Sequence, residues 1–310
     1  MLKQLAWFLF LIQISLVFHP TGSQTLTEAA VSNEQLTLME EVSKLAGISY
    51  CNEIKPPFDC KLWCSDFENT TLIQKFTTND FTEVHGYIAR DDNSKRVIIS
   101  VRGTEGFSNA VIDMILFLSP GKLIAGCPEC RIHSGFYLAW QSVEKAIALP
   151  VAEQLAQYPD YQLLITGHSM GGALATLLGL SYQNLGKSPL VITFGQPRVG
   201  NPAFANFVDT VFSPLSSPDS QKLVNSSSLM RVTHGNDPVA HIPFQDWGYK
   251  HHGGEYWINK KRENMTITAD DITHCQHGED PACLEGQPFN PLDANDHDTY
   301  FRDINPKGKC

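Results

Sequence analysis

The feature that most constrains this 310-residue chain is Gly167-His168-Ser169-Met170-Gly171, set between an apolar run and a small-residue run. Leu163-Leu-Ile-Thr166 reads as a short buried strand, and Gly171 to Leu185 as an Ala/Leu-rich helix that Gly186 can end. A bare G-x-S-x-G is common, but between a strand and a helix it describes a sharp turn that lifts the serine hydroxyl clear of a sheet. Such a turn crowds the positions two residues either side of the serine, and glycine at 167 and 171 removes the collision. Gly172 and Ala173 let the helix approach the sheet closely. Ser169 then stands at the positive end of a helix, with the Met170 N–H placed to bind an oxyanion.

A serine hydroxyl at neutral pH needs a histidine to take its proton and an acid to orient that histidine. In an elbow of this kind the chain order is serine, then acid, then histidine. The strand Leu229 to Thr233 runs into Gly235-Asn-Asp237-Pro238, which puts Asp237 just past a strand's carboxyl end, where open α/β sheets carry their functional groups. Asp270, Asp271 and Asp280 lie in polar stretches with no such strand. Among the later histidines, His241 follows Asp237 too closely to face it. His251 and His252 lead into the strand Glu255 to Ile258 and read as packing residues, and His274 and His277 sit in a polar loop beside Cys275. His297, in Asp296-His-Asp-Thr-Tyr300, fits the order best. Ser169, Asp237 and His297 are therefore the candidate triad, a chemistry that needs no metal and no cofactor.

The rest of the chain alternates in the same way. Gln35 to Leu45 has helical spacing, and Val84 to Ala89 and Arg96 to Val101 read as strands joined by the polar turn Asp91 to Ser94. Phe136, Trp140, Val143, Ile147, Val151 and Leu155 recur at three or four residues, so a long helix is expected, kinked or split at Pro150. Leu190 to Phe194 is another apolar strand. Asn201 as N-cap and Pro202 at the first helical position open a helix to Phe212. Apolar strands alternating with helices give an α/β fold: a central, mostly parallel sheet with helices on both faces. No composition break divides residues 24–310, which are expected to form one domain.

Residues 1–23 read as a secretory signal peptide: Lys3, an apolar stretch from Leu5 to Phe18, then small residues to Ser23. The eight cysteines suit an oxidising compartment and read as disulfides rather than zinc ligands. Eight cysteines allow 105 connectivities, among which loop proximity favours Cys60–Cys64, Cys127–Cys130 and Cys275–Cys283, leaving Cys51 for Cys310. Asn69, Asn225 and Asn264 head glycosylation sequons. A net charge of −10 repels phosphate backbones and anionic lipid alike. Nucleic acid is thereby excluded as a partner, and any membrane contact has to be apolar.

Seven segments together resemble the class 3, filamentous-fungal type lipase family of the α/β-hydrolases, and most of all its secreted yeast members. They are Val101-Arg-Gly-Thr104, His133-Ser-Gly-Phe136, Gly167 to Gly172, Thr193-Phe-Gly-Gln-Pro-Arg-Val-Gly200, Arg231 to Pro243, His251-His-Gly-Gly-Glu-Tyr256 and Asp296 to Tyr300. The resemblance implies the same triad and adds Thr104 as a second oxyanion donor. From the residues alone, Arg102-Gly103-Thr104 is only a strand-end turn. It also implies a mobile helical lid over Phe107 to Leu118, in which Ala110, Val111, Ile112, Met114, Ile115 and Phe117 are apolar and Asp113 is the one charge. Asp113 resembles a lid residue that bonds the oxyanion side chain, and Ala110 stands where relatives often carry tryptophan. The family activity is hydrolysis of triacylglycerol at an oil–water interface by a secreted monomer with a lipid substrate as its partner. The same fold also serves esterases of soluble substrates such as feruloyl polysaccharide esters, which need no oily lid, and non-catalytic hydrolase-like proteins, which usually lack a triad member. The apolar run Ala110 to Leu118 and the complete triad favour the lipase.

Overall fold

The structure is a computed structural model that describes residues 30–78, 83–104, 126–212, 228–260, 266–290, 295–305 and 310. The proposed signal peptide, the lid segment with Ala110 to Phe117, and the sequons at Asn225 and Asn264 lie outside the described residues.

Eight strands form one sheet in chain order: β1 (Thr70–Thr77), β2 (His85–Asp91), β3 (Arg96–Val101), β4 (Gln162–His168), β5 (Leu190–Phe194), β6 (Leu229–His234), β7 (Glu255–Ile258) and β8 (Ile272–Cys275). Strands β3 to β7 are parallel, while β1–β2, β2–β3 and β7–β8 are antiparallel. The apolar strands are continuous runs because both faces are covered. Val97, Ile99, Val101, Leu163 and Ile165 belong to one core cluster, whereas Ile98, Leu164, Ile192 and Val232 belong to the other.

The first face is covered by α2 (Ser134–Gln157), α3 (Met170–Asn184) and α4 (Pro202–Val211). Helix α2 runs unbroken through Pro150. Phe136, Val143, Ile147 and Val151 hold it against the sheet on both sides of the proline, and this burial outweighs the one backbone donor the proline lacks. The second face is covered by α1 (Asn33–Ile48), whose Met39, Val42, Leu45 and Ile48 are buried. Ser32 caps this helix in a capping box: its hydroxyl accepts from the Gln35 N–H, and the Gln35 side-chain oxygen accepts from the Ser32 N–H. Tyr300, Phe301 and Ile304 of the C-terminal strap pack on that same face.

The disulfides pair Cys51 with Cys310, Cys60 with Cys64, Cys127 with Cys130 and Cys275 with Cys283. Cys51–Cys310 spans 259 residues and fastens the strap to the loop after α1. Closing a loop of that length removes chain entropy worth about 5 kcal/mol from the unfolded state. The strap carries His297, so this bond bears on the site.

Candidate active site

Ser169 occupies the bend between β4 and α3 with φ 58° and ψ −129°, a left-handed conformation that costs a non-glycine residue about 1–3 kcal/mol. The glycines explain how the bend fits. A Cβ on Gly167 would lie 2.3 Å from the Gly171 carbonyl oxygen, as the sequence suggests. A Cβ on Gly171 would lie 2.1 Å from the carbonyl oxygen of Val101, so this second glycine is required by the neighbouring strand β3. The Ser169 N–H donates to the Phe194 carbonyl at 2.9 Å, which ties the bend to β5. Ser169 Oγ is buried and has no hydrogen-bond partner among the described residues.

Asp237 and His297, 60 residues apart, meet beside this bend. His297 Nδ1 lies 2.9 Å and 3.0 Å from the two Asp237 oxygens, and both residues are buried. The Val239 N–H donates to Asp237 Oδ1 at 2.8 Å, and the Tyr300 hydroxyl donates to Oδ2. Burial alone would raise the Asp237 carboxyl. The charge and hydrogen bond of His297, with the bonds from Tyr300 and Val239, outweigh it and hold the group at about 2. Asp237 is therefore ionised at any working pH. The pair sits against Gly195, where a Cβ would fall 2.8 Å from Asp237 Oδ2 and 3.0 Å from His297 Nδ1. The His297 ring lies 4.5 Å from that of His168, the residue before the serine.

Met170 begins α3, and Thr104 follows β3 on the adjacent strand. Their side chains touch, with Thr104 Oγ1 3.6 Å from Met170 Sδ, so both candidate oxyanion donors flank the same side of the bend. A Cβ on Gly103 would lie 2.9 Å from the Ser169 Cβ, which gives that turn a requirement its sequence did not reveal.

The loop after Asp237 is held by a network that sequence spacing could not disclose. Arg198, fully buried, forks onto Glu279 through Nε and Nη2 at 2.8 Å each, reaches Glu285 at 2.8 Å, and donates to the Pro243 carbonyl at 3.1 Å. Arg198 holds Glu279 well below the usual carboxylate range despite its burial, while burial and the neighbouring Glu279 push Glu285 up to about 6. Three of the other candidate histidines pack or bond within the fold. His251 Nε2 lies 2.7 Å from the Ala240 carbonyl, His252 bonds Gln196, and His274 is part of strand β8, stacked 4.3 Å from Tyr256. The sequence places His274 in a loop instead, because the edge strand β8 is too short for its pattern to show. Among the described residues, the cluster of Cys51, Cys60 and Cys310 has metal-like proximity, but all three sulfurs are committed to disulfides. Asn69 is exposed and its Nδ2 donates to Asn93 Oδ1 at 3.0 Å.

Burial lowers His168 and His252 to about 3, and lowers His251 well below its ordinary 6.5. In the unfolded chain all three titrate near 6.5, so unfolding takes up protons as the pH falls below that value. Their contribution to stability is complete above about pH 6.5 and is lost as the pH falls below it, for His168 and His252 by about pH 3. Each proton taken up steepens the loss by as much as about 1.4 kcal/mol per pH unit. Guanidinium unfolding should show a midpoint that falls sharply from pH 7 to pH 4; a midpoint constant over that range contradicts the reading.

A mixed eight-stranded sheet, helices on both faces and a strained serine at a strand–helix elbow define an α/β-hydrolase. Residues 98–247 match the family model described as lipase (class 3). A secreted mono- and diacylglycerol lipase 2 of Gibberella zeae is 32% identical over 285 residues, covering 80% of this chain and 68% of that one. The crystal structure of the Lip2 lipase of Yarrowia lipolytica superposes with a TM-score of 0.79 at 33% identity, over 88% of this chain and 96% of that chain. A triacylglycerol lipase whose catalytic centre is described as a serine protease triad superposes with a TM-score of 0.73 at 28% identity, over 89% of this chain and 97% of that chain. The chain belongs to the class 3 lipase family.

Proposed function

We propose that the protein is a secreted lipase that hydrolyses acylglycerol esters at a lipid–water interface, with Ser169 as nucleophile, His297 as base and Asp237 as the acid that orients it. The observation that carries this reading is the buried Asp237–His297 pair, 2.9 Å apart, set beside a strained Ser169. Asp237 accepts the Nδ1 hydrogen of His297, so Nε2 is the nitrogen that takes the serine proton. The hydroxyl oxygen attacks the ester carbonyl, and the carbonyl oxygen gathers negative charge toward the Met170 N–H and the N–H and hydroxyl of Thr104. His297 then protonates the departing alcohol. A water, deprotonated in turn at Nε2, releases the fatty acid and restores Ser169. Ionised Asp237 stabilises the imidazolium formed in each half.

The three residues of this triad lie in one chain, which supports a monomer as the working unit, and residues 1–23 are proposed to direct export and be removed. Peptide mapping of the secreted protein then finds an N-terminus close to residue 24.

The substrate reading rests on the curated relatives and on the apolar run Ala110 to Leu118, which suits contact with oil more than with soluble polysaccharide esters. Rates on tributyrin should jump as its concentration passes the solubility limit. A smooth saturation curve through that limit supports an esterase of soluble substrates instead.

A further inference from the structure

We infer that His168, backed by Tyr50, is a positioning residue that fixes His297 for proton transfer. The inference rests on the reading of His297 as the base and assigns a second histidine to the site. His168 is fully buried and bonds to Tyr50, in the loop after α1, and to the C-terminal strap. Its Nε2 lies 2.8 Å from the backbone carbonyl of His297, a group that only accepts, so Nε2 carries the hydrogen. Nδ1 is then an acceptor, and the Tyr50 hydroxyl, 2.7 Å away, donates to it. The chain Tyr50 O–H to His168 to His297 C=O is directional, its sense fixed by the carbonyl, which can only accept.

The arrangement does two things for the base. It pins the His297 backbone while Asp237 pins the ring, so the imidazole is held by its carboxylate at one end and by its main chain at the other. It also places an uncharged ring against a ring that must become a cation, at 4.5 Å and 33° between planes. Burial, then the charge of His297, holds His168 at about 3, so it stays neutral when His297 takes the serine proton. A charged neighbour would oppose that step. The residues behind the chain are fixed in turn. Tyr50 adjoins Cys51, whose disulfide reaches Cys310. Gly103 leaves room for it, because a Cβ there would lie 2.5 Å from the Tyr50 hydroxyl and 2.6 Å from the His168 carbonyl. The strap is thus fastened covalently at its end, and the backbone of its catalytic residue is fastened through His168.

The test is steady-state kinetics of the full secreted chain on a soluble short-chain p-nitrophenyl ester, with circular dichroism to set the folded fraction. His168→Leu removes the donor to the His297 carbonyl and should lower kcat by about 10- to 100-fold, the scale of a misplaced catalytic group, with KM within about twofold of wild type. His168→Gln, whose amide nitrogen reaches as far as Nε2, should restore kcat to within about fivefold. Tyr50→Phe removes the donor that holds the His168 ring at Nδ1 and should lower kcat by about 3- to 10-fold at unchanged KM; it carries the test if the leucine variant does not fold. A folded His168→Leu or Tyr50→Phe enzyme with wild-type kcat, or a glutamine variant no better than leucine, overturns the inference. Ser169→Ala in the same assay separates the two levels. If that variant keeps activity, the triad reading fails; if it is inactive while the His168 and Tyr50 variants are normal, only the positioning role fails.

Discussion

Replacing Ser169 with alanine is expected to lower kcat on a soluble ester by about 10,000-fold or more, the scale seen when a serine nucleophile is removed from a working triad. Stability is expected to change little. Alanine keeps the Cβ and meets the same left-handed backbone, so the strain at φ 58° is neither relieved nor increased. The deleted oxygen is buried without a hydrogen-bond partner among the described residues, so its loss leaves no donor or acceptor unpaired. The variant should therefore melt within a few degrees of wild type, or slightly above it. Activity retained on emulsified tributyrin and on the soluble ester alike would place the chemistry elsewhere.

The second large effect is expected from Asp237→Asn. The carboxylate accepts from His297, from Tyr300 and from the Val239 N–H, and its charge faces the imidazolium that forms in each step. Asparagine offers one oxygen and an NH2 group in the same space. Where the NH2 faces His297 it donates to Nδ1, which drives the hydrogen to Nε2 and leaves no base toward the serine. The kcat is expected to fall by about 10,000-fold, as it does where a triad aspartate elsewhere is amidated. The cost in stability should be about 1–3 kcal/mol, since one buried donor loses its acceptor. The two effects separate when activity is measured well below the melting temperature of the variant. A folded Asp237→Asn protein within tenfold of wild-type kcat contradicts the assigned role.

Much of this was legible in the residues because the signals are local. The elbow, its two glycines and the parallel strands β3 to β7 are written in contiguous apolar runs and in a motif with a steric reason. Strand β1 was not legible: Leu72 to Lys75 are half-buried or exposed, and a bulge between Leu72 and Gln74 breaks the alternation that marks a strand. Strand β8 is four residues long at the other edge. The capping box at Ser32 and Gln35 extends α1 upstream of the helix read from spacing, and Ser-x-x-Gln before an apolar face was the signal for it. What sequence could not give is convergence. Arg198 meets Glu279 and Glu285 across 81 and 87 residues, and Tyr50 meets His168 across 118. Chain order could rank His297 above the other histidines, but only the packed strap, with Tyr300 on Asp237 and Cys310 on Cys51, brings it beside the serine's own bend.

The most direct test of the central claim, that Ser169 is activated by His297 and Asp237, is covalent labelling with an alkyl phosphonate that reacts with activated serines. The expected result is one phosphonyl group per chain, mapped to Ser169 in the peptide around Gly167 to Gly172, and near-complete loss of labelling in His297→Ala. Labelling at another residue, no labelling of folded wild-type protein, or equal labelling rates with and without His297 would contradict it.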